Sequence, residues 1–270
     1  MRRATFGATM MSLFAMAAPS WAETVPLSAK WTIDTSKIPA HVELRKGKVL
    51  FSAKLLPSKL VRIEGAAVAA GTGELRAAAG GQFMVFADNG GSEVYCSTKT
   101  VDLMHKGGFL YMRYDDTYMC LLDRDRDGKF ELSYEIRSGL AALPFLTHGK
   151  TDDMVPITPV SYTTIDPAQL DIPLMLTLRW NIGNGFDDRL GFNVSVGADA
   201  NAGYLPREAA LTLSSWYGLN KGEVPGTFGF ANLRIHAAST AAKTATFDIE
   251  KLSDHGTMIT DAAHVGFGLN

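Results

Sequence analysis

Apolar and polar residues alternate in short runs along most of the chain, with a period of two. Val49, Phe51, Ala53 and Leu55 are interleaved with Ser52 and Lys54, and Val42 and Leu44 precede them across a break at Gly47. Leu174, Leu176, Leu178 and Trp180 make a second stripe, Phe192, Val194 and Val196 a third, and Ala245, Phe247 and Ile249 a fourth. Alternation of this kind puts successive side chains on opposite faces of a half-buried strand. Phe83 to Ala87 and Ser92 to Cys96 flank Asp88, Asn89, Gly90 and Gly91, residues that tolerate positive φ, which predicts a hairpin. No long segment carries apolar residues at spacings of three and four between a start cap and a stop signal, so little helix is expected. Parallel strands need crossovers of a dozen or more residues, whereas these runs are separated by Gly and Asn turns. The expectation is an all-β, mostly antiparallel fold, either a β-sandwich or an open barrel.

Two stretches break the pattern. Ser138 to Pro173 holds Pro144, Pro156, Pro159, Pro167 and Pro173, each of which fixes φ and removes a ladder donor, so a long irregular connection is expected there. Gly65 to Gly81 is rich in Ala and Gly and matches no element. The resulting organisation is a leader over 1–22, an N-terminal β region over 23–137, the Pro-rich connection over 138–173 and a C-terminal β region over 174–270. A single domain over 23–270 is equally compatible.

The leader reads as a cleavable signal peptide. Arg2 and Arg3 precede an uncharged apolar run from Phe6 to Ala18, and Ser20, Trp21 and Ala22 place small residues at the positions that matter for a cut after Ala22. The run is shorter than the roughly 20 apolar residues that span a bilayer. A periplasmic or secreted protein with no transmembrane anchor after cleavage is therefore expected. The chain has 26 Lys and Arg against 28 Asp and Glu, and cleavage would take two arginines with it, leaving a mildly acidic protein. Beyond the short Arg45, Lys46, Lys48 cluster there is no basic block to neutralise phosphates, which argues against nucleic acid as a partner.

Cys96 and Cys120 are the two cysteines. In an oxidising compartment an even count implies pairing, and a loop of this length would contribute roughly 3 kcal/mol in the chain-entropy model. Two buried free thiols are the alternative; a zinc site would lack its remaining ligands.

The sharpest chemical signal runs from Asp123 to Glu131. Asp123, Asp125 and Asp127 alternate ahead of Gly128, as at positions one, three, five and six of an EF-hand loop, where carboxylates converge on calcium and glycine permits the sharp turn. Lys129 would offer its backbone carbonyl at the seventh position, and Phe130 matches the apolar eighth. The twelfth position is Tyr134 instead of a bidentate glutamate, leaving Glu131 and Glu135 as the acids able to compensate. Phe130, Leu132, Tyr134 and Ile136 alternate with Glu131, Ser133 and Glu135, so the acidic loop is expected to join two strands. The alternative to a Ca2+ site is a solvated turn, its acids balanced by Arg124 and Arg126.

The Cys-x-x-Asp-x-Asp-x-Asp-Gly arrangement starting at Cys120, with the Gly47 to Pro57 segment, resembles exported β-rich proteins of Gram-negative bacteria that lack a characterised activity. The resemblance implies an envelope location and a β fold, and brings no catalytic residues.

Other chemistry finds little support. His41, His105, His148, His236, His255 and His264 are scattered, without a His-Glu-x-x-His pair, and no Gly-x-Ser-x-Gly elbow occurs. Asp115 with Asp116, Asp152 with Asp153, and Asp187 with Asp188 are adjacent pairs, which on a strand point to opposite faces and do not make a two-carboxylate glycosidase site. Gly71 and Gly73 lack the third glycine of a dinucleotide loop. The preferred reading is a non-catalytic envelope module that binds an envelope ligand or protein, or serves a structural role, with calcium as a stabilising ion. The competing reading is a hydrolase of an envelope glycan or ester, its acids drawn from distant strands.

Overall fold

The computed structural model describes residues 24–88, 90–99, 116–138, 148–151, 154–180, 189–197, 211–220, 223–240, 244–260 and 265–268. The leader, His105, His264, Asp115 and the Asp152–153 and Asp187–188 pairs lie outside them. The antiparallel all-β fold is what the chain adopts: every strand pairing among the described residues is antiparallel, and the helical content there is one 3-10 turn, Pro167–Gln169.

Six strands close a barrel in the order β11 (Lys129–Ser138), β10 (Asp116–Leu122), β9 (Glu93–Ser97), β8 (Gln82–Ala87), β5 (Leu60–Ile63) and β13 (Val155–Ile165). The ring closes because β13 pairs along its end with β5, Ile165 opposite Leu60, and earlier with β11, Ser161 opposite Lys129. β12 (His148–Thr151) and β1 (Thr24–Pro26) extend the sheet beyond β11. A seven-stranded sheet follows the order β16 (Leu211–Asn220), β15 (Arg189–Gly197), β14 (Met175–Trp180), β4 (Val49–Pro57), β2 (Ala29–Asp34), β20 (His255–Thr260) and β21 (Val265–Gly268). A four-stranded sheet joins β17 (Gly226–Phe230), β18 (Leu233–Thr240), β19 (Thr244–Lys251) and β3 (His41–Arg45).

The barrel strands are apolar on both faces, and each face has a destination. Val61, Ile63, Phe83, Tyr95, Met119, Leu121, Phe130, Ile157 and Val160 fill one core. Their strand neighbours Leu60, Met84, Phe86, Val94, Cys96, Tyr118, Cys120, Tyr134 and Ile136 belong to a second core shared with the other two sheets. This is why the sequence Phe83-Met84-Val85-Phe86 has no polar alternation. In the lumen Phe130 stacks on Tyr162 with ring centroids 4.3 Å apart, and Tyr95 lies 5.1 Å from Phe130. Aromatic pairs of this kind add about 0.5–1.5 kcal/mol each beyond simple burial.

The connection over 138–173 is more regular than its prolines suggest. It contains β12 and the barrel-closing β13, which corrects the expectation of an irregular segment. The ladder with β11 passes from Val160 opposite Phe130 to Pro156 opposite Leu132, so Ile157 to Pro159 form a bulge. A proline's missing N–H is tolerated at such a site. Pro167 opens the 3-10 turn, where the Asp166 carboxylate caps the Ala168 N–H at 2.8 Å. The Ala/Gly stretch becomes a ribbon of β6 (Ala67–Val68) and β7 (Leu75–Ala77), with Gly71 and Gly73 at φ 92° and 73° in its turn. Those glycines serve turn geometry.

The same register shift splits the alternation read along β11. Phe130 faces the barrel core, whereas Tyr134 and Ile136 face the shared core. Ser133 and Glu135, on the face opposite Tyr134, are buried and meet Arg76 of β7. Cys96 and Cys120 are directly opposite on β9 and β10 and form a buried disulfide.

Candidate metal site

The acidic hairpin joins β10 to β11 at one end of the barrel, beyond the last cross-strand pair, Leu122 with Leu132. Its turn needs two left-handed residues, Arg126 at φ 62° and Gly128 at φ 88°. Glycine adopts this conformation without steric cost. The aspartates hold the turn by accepting its free N–H groups. Asp123 accepts from Asp127 at 3.1 Å and from Gly128 at 3.0 Å, Asp125 from Asp127 at 3.2 Å, and Asp127 from Lys129 at 2.8 Å. Glu131 reaches back across the loop to accept from the Arg124 N–H at 3.2 Å.

These bonds aim four carboxylates at one another. Asp123, Asp125, Asp127 and Glu131 each present an oxygen within 4.8 Å of the others, and the group could hold a metal ion. Each carboxylate oxygen has two lone pairs, so the N–H bonds leave acceptor capacity for a cation. Burial pushes the Glu131 carboxyl above its usual range, and the charges of Asp125, Asp123 and Asp127 push it the same way. Positive charge at the centre of the four would reverse the charge-repulsion part of that shift.

Of the six residues singled out in the sequence, Lys129 and Glu135 are not among the four converging carboxylates. Lys129 begins β11 opposite Ser161, and its ammonium lies 3.9 Å from Asp127. Glu135 is buried away from the loop, with Arg76 Nη1 at 3.1 Å. Its placement follows from the register shift at Phe130/Leu132 and from its ion pair with the buried Arg76, which Glu74 also approaches at 3.5 Å.

The residue that sequence spacing missed is Tyr162 of β13, whose hydroxyl donates to Asp123 Oδ2 at 2.8 Å. Burial and the neighbouring Asp123 carboxylate raise the Tyr162 pKa, so it stays a neutral donor. Tyr95 lies beside it with ring centroids 5.4 Å apart, donates to Glu93 and accepts from Lys59 Nζ at 2.5 Å. Burial likewise raises its pKa. A polar network thus crosses the hairpin end of the barrel from Lys59 to Asp123. Its only sequence signal was Tyr162 in a segment expected to be irregular.

No protein-family model, curated protein or solved structure gives a significant match to this chain. Among the described residues no helix is long and apolar enough to cross a membrane.

Proposed function

We propose that this chain is an exported, non-catalytic β module of a bacterial-type cell envelope, and that its β10–β11 hairpin binds calcium as a stabilising ion. The observation that carries the calcium reading is the convergence of Asp123, Asp125, Asp127 and Glu131, with Glu131 adding a fourth carboxylate to a loop that lacks the usual twelfth-position ligand. Calcium accepts irregular oxygen cages, whereas magnesium demands near-octahedral geometry and gives up water reluctantly. Export is supported by the leader's Arg2–Arg3 and apolar run, and by a disulfide of the kind that persists in oxidising compartments. A lumen packed with aromatic side chains supports a scaffold role, in which the module presents its surface to an envelope ligand or protein.

The direct test is calorimetric titration of the purified protein with calcium. One ion per chain, lost in Asp125→Ala and in Glu131→Gln, is the expected result. Absence of binding at millimolar calcium would withdraw the metal reading.

A further inference from the structure

On the solvent face of the four-stranded sheet, Thr227, His236, Asp248 and His41 stand side by side on β17, β18, β19 and β3. The Ile249 N–H donates to the Ala40 carbonyl at 2.7 Å, which makes those two residues a hydrogen-bonded pair. Asp248 and His41, the next pair along, are then a non-hydrogen-bonded pair whose side chains approach more closely. His41 Nδ1 accordingly lies 2.7 Å from Asp248 Oδ1. Alternation makes His236 and Thr227 a close pair as well, and the Thr227 hydroxyl is 3.0 Å from His236 Nδ1. The row borders a shallow depression of about 260 Å³ lined by Ala40, Arg234, His236, Asp248, Ile249 and Glu250.

We propose that His41, Asp248 and His236 form a surface site for a borderline divalent transition ion, with zinc as its type case. Directly opposite residues have Cβ atoms about 4.5–5.5 Å apart, so rotation of the His41 and His236 side chains, which as placed do not converge with Asp248 on one point, brings both imidazoles to it. A histidine Nε2 and its roughly 2.0–2.1 Å bond to zinc bridge that spacing to an ion seated above Asp248. Two imidazoles and a carboxylate leave a fourth tetrahedral position open over the depression, the donor set typical of an exchangeable zinc site. Imidazole also selects against calcium and magnesium, so this site is chemically distinct from the hairpin.

The surroundings suit the assignment. Thr227 engages His236 Nδ1, the outer hydrogen bond that fixes a metal-binding imidazole and leaves Nε2 for the ion. His41 turns from its contact with Asp248 to bind; their side chains are 64% and 54% exposed, so little is lost when that pair is exchanged for metal bonds. Arg234, which lines the same depression, is held by Glu250 at 2.7 Å in the adjacent row.

The test is calorimetric titration of zinc chloride into the full chain in millimolar calcium, which occupies the carboxylate hairpin if that site exists. One zinc per chain is expected, weakened about tenfold or more in His41→Ala and in His236→Ala and unchanged in Asp125→Ala. His41→Gln, which keeps a polar side chain on the exposed position, gives the same loss while melting like the wild type. Carbethoxylation of His41 and His236 slows when zinc is present. Wild-type protein that takes up no zinc, or histidine variants that bind it as the wild type does, would overturn the proposal.

Discussion

Tyr162 and Asp123 are 39 residues apart in sequence, yet the tyrosine hydroxyl donates to the aspartate at 2.8 Å. The bond ties the strand that closes the barrel to the loop that carries the acids. Tyr162 also stacks on Phe130, two residues beyond Gly128, so the loop is anchored by one polar and one aromatic contact from the same side chain.

Tyr162→Phe separates those two contacts. The ring keeps its stacking while Asp123 loses a charge-assisted hydrogen bond, for which about 1.5 kcal/mol is expected, the lower end of the range because Tyr162 is only half-buried. Urea unfolding measures it. A midpoint unchanged from the wild type would show that solvent replaces the hydroxyl at no cost.

Arg76→Ala is expected to be far more damaging. The Arg76 and Glu135 side chains are 8% and 6% exposed, and Arg76 Nε also donates to Ser133 Oγ at 3.2 Å. Removing one partner of a buried pair costs about 3–5 kcal/mol, because the remaining charge is left in a low-dielectric site. Glu135→Gln should destabilise the fold and leave calcium binding as it was. Loss of calcium binding in that variant, at a temperature where it is folded, would return Glu135 to the metal site.

Much of the fold was written in local pattern. The Phe51, Ala53, Leu55 stripe lies buried in β4, the Ala245, Phe247, Ile249 stripe in β19, and the hairpin around Asp88 turns where its residues tolerate positive φ, with Gly91 at φ 76°. The acidic spacing likewise located three of the four converging carboxylates and left the fourth open between Glu131 and Glu135. What was not legible depends on register between distant strands. Barrel closure needs Ile165 to meet Leu60, the burial of Glu135 needs a shift of register at Phe130, and the row of His236, Asp248 and His41 needs three strands aligned. A period-two pattern states which face a residue takes and leaves open which residue stands beside it. The prolines misled for a related reason: Pro159 sits in a bulge, and Pro156 takes a paired position opposite Leu132 despite its missing donor.

Reducing the Cys96–Cys120 disulfide should lower stability by about 3 kcal/mol, from a sequence separation of 24 residues. For a protein of this size that is a fall in melting temperature of roughly 6–12 °C. Thiol labelling of the denatured, unreduced protein supplies the control: no label is expected, and two labelled thiols per chain would refute the pairing.

Calcium and Glu131 give the most discriminating experiment, because the Glu131 carboxylate should oppose folding without the ion and favour it with the ion. A carboxyl whose folded pKa lies above its unfolded value of 4.5 is penalised when ionised. Stability therefore falls as pH rises from that value through the folded pKa, and the penalty persists at neutral pH. In chelator, Glu131→Gln should then melt above the wild type at pH 7, with the gain vanishing below about pH 4, where the wild-type carboxyl is protonated in both states. Calcium inverts the order. The missing twelfth-position glutamate places the affinity no better than about 10⁻⁴ to 10⁻³ M, so an ion binding only the native state should add about 0.4–1.4 kcal/mol to the wild type at millimolar calcium. Glu131→Gln and Asp125→Ala, each short of a ligand, should gain much less, and magnesium should substitute poorly in all three. Thermal unfolding in calcium, magnesium and chelator at pH 4 and 7 reads the whole pattern. Equal melting temperatures for the wild type in calcium and chelator would reduce the hairpin to a turn, and a Glu131→Gln variant no more stable than the wild type in chelator would show that its neighbours' charges are screened by solvent.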